Sequence, residues 1–131
     1  MTEPPSGHPP PVSAQLPGGD SVDLRALAEE ICRRYRAEFP DEEQRYGDAG
    51  MAWCLHDNQH ILNWAVTEVH GFGGLERQLD WLAGVLDARD FPLDRLARNL
   101  EIAAAVVAEA MPGDAALSAP LATGARRLRG T

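Results

Sequence analysis

The sequence predicts an all-α protein of about four helices, and three observations carry that prediction. Apolar residues recur every three or four positions through four successive segments, as a turn of 3.6 residues requires. No stretch alternates with period two for long enough to be a strand. Proline or glycine stands at each junction, where a helix must stop or restart.

The first helix is expected from Ser21 to Phe39, with Ser21 as N-cap. Leu24, Leu27, Ala28, Ile31 and Tyr35 mark its apolar face, and Pro40 ends it. The run "FPDEEQRYGDAG" follows, with Gly47 and Gly50 breaking any continuous helix. A second helix begins near Asp48 and runs to His70, where "GFGG" stops it; Met51, Leu55, Asn58, Leu62, Ala65 and Val69 share its stripe. The third covers Gly74 to Arg89 on Leu75, Leu79, Leu82 and Leu86. In "DFP", Asp90 is expected to cap the fourth helix and Pro92 to occupy its first turn. That helix reaches Met111 on Leu93, Leu96, Leu100, Ala104 and Val107.

These segments place one helical domain at residues 21–111. Residues 1–20 hold six prolines and no helical or strand period, and read as a disordered arm. Residues 112–131, rich in Ala, Gly and Pro, read as a flexible tail ending on Arg126, Arg127 and Arg129. A domain of about 90 residues buries roughly 60–65% of its surface on folding. Its stability is modest, so a ligand or partner subunit would add materially to it.

The net charge is −8, and all 12 basic side chains other than histidine are arginines. Acidic balance argues against nucleic-acid binding, because phosphates reward clustered positive charge. The arginines of the tail read as solvated. No apolar run approaches the ~20 residues that cross a bilayer. The N-terminus lacks the basic and apolar regions of a secretory signal. A cytoplasmic location is expected, with Cys32 and Cys54 as reduced thiols rather than a disulfide.

The chemistry concentrates in "CLHDNQHILNWAV", residues 54–66. With Cys54 set at 0° on a helical wheel, the apolar stripe centres near about +55° and Asn58 falls within it. Asp57 lies at about −60°, Ile61 at about −20°, Trp64 at about −80° and Trp53 at about −100°. Those residues line one shoulder of the buried face, with His60 just behind, while His56, at about 200°, points away. An aspartate on an apolar shoulder needs hydrogen-bond donors, and a mid-stripe asparagine needs partners for its amide. A flat ligand bearing N–H groups and apolar rings would satisfy both. Alternatively, Asp57 pairs with an arginine such as Arg95 or Arg98, and the tryptophans simply roof the core.

Other chemistries find less support. His56 and His60 stand four apart, as helical metal ligands can, but no HExxH motif accompanies them, and no metal site is assigned. Haem is less favoured, because residues 74–111 contain no histidine to serve as axial ligand. Neither His56 nor His60 stands where it could take the Cys54 proton, so no catalytic residue and no enzyme activity are expected.

The run "RYGDAGMAWCLHDNQHILNW", preceded by "FPDEE", resembles the segment leading into the chromophore-bearing helix of phycobiliproteins. It is also similar to the globins that accompany bilin biosynthesis in bacteria. Cys54, Asp57 and Leu62 fall at the steps of the family's Cys-x-Arg-Asp pattern. Where the family has arginine this chain has His56, and tyrosine positions are His60 and Ile61. The resemblance implies a truncated globin-like domain that binds a linear tetrapyrrole (bilin) without catalysis, as carrier or sensor. Asp57 would accept from the pyrrole nitrogens and Cys54 would be the covalent anchor. Trp53 and Trp64 would stack on the rings, His56 or His60 would meet propionates, and Asn58 and Ile61 would complete the contact. The chain has little room for both terminal helices of a full globin, so a homodimer or a partner helix is expected. The competing reading is a ligand-free helical dimerisation or signalling module.

Overall fold

The computed structural model describes residues 9–113 and 115–130. It is mostly helical, but a small hairpin precedes five helices rather than four. The order is β1 (Ser13–Gln15), β2 (Ser21–Asp23), α1 (Leu24–Glu38), α2 (Glu42–Val69), α3 (Leu75–Asp87), α4 (Leu93–Ala110) and α5 (Ala115–Leu128).

The hairpin corrects two expectations. β1 and β2 pair antiparallel with Ala14 opposite Val22, so part of the expected arm is strand; its residues 1–8 lie outside the described residues. Ser21 belongs to β2, and the N-cap of α1 is Asp23, whose carboxylate accepts from the Ala26 N–H at 2.9 Å. Side chains of α2 tie the segment down. Gln59 Nε2 donates to the Pro11 carbonyl at 3.0 Å, and the His70 ring meets the Gln15 carbonyl at 2.6 Å. Leu16 and Val22 are buried in consequence. The hairpin thus covers the side of α2 that a one-sided wheel assigns to solvent, and His56, on that side, is buried.

The second helix starts six residues earlier than Asp48, yet the break at Gly47 is real. Gly47 holds φ 63° and ψ −153°, a region essentially restricted to glycine, and the chain bends there between two helical stretches. At the other corner Asp90 does not cap α4. It takes φ 60° and ends α3, while the Phe91 N–H reaches back to the Leu86 carbonyl at 2.9 Å. Pro92 is the N-cap of α4, and Leu93 its first helical residue.

The segment expected to be a flexible tail forms α5 against α4. Leu117 and Leu121 are fully buried, each worth about 1.5–3 kcal/mol, which offsets the donor that Pro120 removes from the helix. Gly124 permits the close approach: a Cβ there would stand 2.6 Å from Leu79 Cδ1. Arg127 pairs with Asp80 at 2.8 Å and Glu76 at 2.9 Å, and Arg129 pairs with Glu101 at 2.8 Å, so these two arginines join ion pairs. Such exposed pairs contribute at most about 1 kcal/mol each, and the leucines decide the docking. α5 buries Leu117, Leu121 and Ala125 in the common core. The core runs from Leu24 and Ile31 through Leu62 and Leu100 to Leu121.

Gly47→Ala places a Cβ in a conformation that L-residues avoid. Urea denaturation should show a loss of about 1–3 kcal/mol with little change in slope.

Candidate functional site

Because α2 bends at Gly47, its first turn swings toward α4 and leaves a space bounded by α1, α2 and the α3–α4 corner. This cavity measures about 470 Å³, within the usual range for sites of small organic ligands. Four aromatic rings line it: Tyr35 from α1, Tyr46 and Trp53 from either side of the kink, and Phe91 from the corner. Tyr46 and Phe91 lie with ring centroids 5.9 Å apart.

The polar floor is a reciprocal amide pair. Asn99 Nδ2 donates to Asn58 Oδ1 at 2.8 Å, and Asn58 Nδ2 donates to Asn99 Oδ1 at 3.1 Å. Asn58 Nδ2 also reaches the Cys54 carbonyl at 2.9 Å, so its mid-stripe amide is satisfied within the protein. Beside it the two thiols approach the same nitrogen, Cys54 at 3.5 Å and Cys32 at 3.6 Å. The neighbouring Cys32 thiol and burial push the Cys54 thiol well above its ordinary range. Cys54 is therefore a protonated thiol at neutral pH and a weak nucleophile.

Asp57 lines the cavity with only 16% of its side chain exposed. Burial raises its pKa from the ordinary 3.8, and the contact with His56 Nδ1 at 3.3 Å and the field of Arg89 offset this in part. Among the described residues no guanidinium forms an ion pair with it. Arg95 pairs with Glu42 at 2.7 Å and Asp41 at 2.9 Å, and Arg98 pairs with Glu38 at 2.7 Å. Tyr35 adds a second unsettled polar group. Its hydroxyl is buried with no hydrogen-bond partner among the described residues, and burial together with the nearby Glu42 carboxylate keeps it protonated.

Of the residues singled out in the sequence, Trp53, Cys54, Asp57, Asn58 and Ile61 come together on the cavity wall. His56, His60 and Trp64 do not. They form their own ladder along α2, with centroids 4.6 Å apart for His56–His60 and 6.0 Å for His60–Trp64. The wheel groups Trp64 with Asp57 because it treats the shoulder as one continuous surface. The cavity follows α2 only as far as Ile61, and Trp64 lies two turns beyond Asp57. Sequence reasoning missed Tyr46, Arg45, Arg89, Phe91 and Asn99, all of which line the cavity. Asn99 had a signal: it is a lone amide between Leu96 and Leu100, the same anomaly that drew notice to Asn58.

No family model, no curated protein and no solved structure matches the chain.

Two measurements probe this floor. Asn99→Ala strands the buried Asn58 amide and should cost about 1–3 kcal/mol, whereas the isosteric double change Asn58→Leu with Asn99→Leu should cost clearly less than the sum of the single changes. The raised pKa of Asp57 means that the folded form keeps a proton which the unfolded chain releases near 3.8. Its contribution is complete below that value and is lost as pH rises through the folded pKa. Asp57→Asn should therefore gain stability relative to the parent as pH increases above 3.8, read from denaturation midpoints across pH.

Proposed function

We propose that the chain is a non-catalytic binding module that holds a flat ligand with convergent N–H groups, a linear tetrapyrrole, in the α1–α2–α4 cavity. The frame in this reading is globin-like and of the phycobiliprotein-related kind. One observation carries it: a largely buried carboxyl group, touched by His56, faces an aromatic-lined space while Arg95 and Arg98 are held by other carboxylates. A carboxyl with one long contact, to His56 Nδ1 at 3.3 Å, is costly in such surroundings unless further donors reach it. Pyrrole N–H groups supply donors at the centre of an extended conjugated system, and Trp53, Tyr46 and Phe91 offer the faces that such a system stacks on.

The contacts differ from those the resemblance implied. Trp64, His56 and His60 lie off the cavity wall, so the ring contacts pass to Trp53, Tyr46 and Phe91. Cys54 is in place, but its thiol is held protonated, which makes unassisted thioether formation slow. Binding in this reading is non-covalent first, with attachment at Cys54 as a later step. The buried Tyr35 hydroxyl, beside the Glu42 carboxylate, is a further polar group on that wall.

A second reading, a ligand-free module that dimerises or signals through a helical face, draws on the exposed rings of Phe72 and of Trp81 on α3. Sedimentation of the parent and of Trp81→Ala over a range of concentrations tests it, with weakened self-association in the variant as the supporting result.

Mixing the protein with biliverdin or phycocyanobilin should give a red-shifted, structured absorbance. Asp57→Ala should weaken binding by about tenfold or more, as loss of a hydrogen bond to a charged group implies, with its helical circular dichroism retained. An unchanged spectrum with both pigments would falsify the tetrapyrrole reading.

A further inference from the structure

The protein carries a net charge of −8, yet the side chains at the edge of the cavity are cationic. Arg45 and Arg89 line it, and both are exposed, which places them where it meets solvent. Arg36 stands close by: its Nη1 lies 3.4 Å from the point where a Cβ on the cavity-lining Gly50 would sit. The manner in which these arginines are held is informative. Most other arginines of the described chain sit in close ion pairs with Asp or Glu. Arg89 instead lies over the Trp53 ring, 4.0 Å from its centroid, close enough for its charge to act on Asp57 but with no carboxylate in ion-pair contact among the described residues. Arg45 lies 5.5 Å from the Tyr46 centroid, and its one ion pair, to Asp41, is a loose 3.7 Å. Stacking orients a guanidinium without consuming its N–H fork, so the donors stay available to a planar anion.

We infer that Arg89, braced on Trp53 and assisted by Arg45, is the specificity-determining residue of the cavity and selects planar conjugated ligands that carry a carboxylate. This rests on the cavity being a binding site and names the class of ligand it admits; for a tetrapyrrole the carboxylates are the propionates. The geometry is complementary along the whole site. Asp57 and the Asn58–Asn99 floor meet the neutral polar interior of the ligand, the aromatic walls cover its faces, and the arginines meet its anionic end at the solvent edge. The carboxyl group of Asp57 would repel a carboxylate placed deep in the cavity, which fixes the direction of entry.

The test uses two neutral-framework probes that differ only in charge, 2-naphthoate and 2-naphthamide, titrated against the full-length protein by tryptophan fluorescence. The naphthoate should bind about tenfold or more tightly, with a preference that shrinks as salt is raised. Arg89→Gln should remove that preference by weakening the naphthoate alone, and Arg89→Lys should restore it in part, since a lysine keeps the charge but loses the fork. Equal binding of the two probes, equal losses in Arg89→Gln, or no binding of either overturns the inference. Selective naphthoate binding without any bilin spectrum upholds the carboxylate clamp and rejects the tetrapyrrole. A bilin spectrum with no discrimination between the probes does the reverse.

Discussion

The arrangement of this molecule turns on the pair of amides joining α2 to α4. Asn58 and Asn99 each donate to the other, at 3.1 and 2.8 Å, inside an otherwise apolar contact. Two amides can do this in only one register, since a slip of one residue on either helix would leave both sets of donors and acceptors unpaired in a medium that penalises them heavily. Leucines at these positions would hold the helices together as firmly but would accept several registers. The amide pair thereby fixes how far α2 stands from the α3–α4 corner, and the space above it follows from that distance.

A second constraint acts at the other end of the same space. Arg95 on α4 grips Asp41 and Glu42, and its guanidinium also lies 4.5 Å from the Phe39 centroid. This ties the first turn of α2 to α4 at the edge of the cavity. With Arg98 bound to Glu38, Asp57 has His56 as its direct polar contact among the described residues. Arg95 and Arg98 are thus committed to carboxylates other than Asp57.

Local pattern was sufficient for four of the helices. Leu75, Leu79, Leu82 and Leu86 place α3 without reference to anything distant, and the 3.6-residue period brings Cys54, Asp57 and Ile61 onto one wall. What the pattern could not supply depends on contacts far apart in the chain. Leu117 and Leu121 are sparse among alanines, glycines and Pro120, and only the groove beside Leu79 and Leu100 turns that segment into a helix. The proline-rich start behaves similarly: Gln59 and His70, about 50 residues away, supply what its own sequence lacks. The wheel for α2 failed at His56 for the same reason, because the hairpin covers a face that composition assigns to water. Within the candidate site, the acid, the thiol and Trp53 were visible from one helix; Tyr35, Arg89 and Asn99 come from three other parts of the chain and join them only on folding.

The bend at Gly47 separates two groups of wall residues. Glu42, Arg45 and Tyr46 stand before it, and Ala49, Gly50 and Trp53 after it. The aperture is thus governed by a pair of backbone dihedrals at a single position outside the hydrophobic interior. Editing that one corner would resize the chamber and leave the remainder of the architecture untouched.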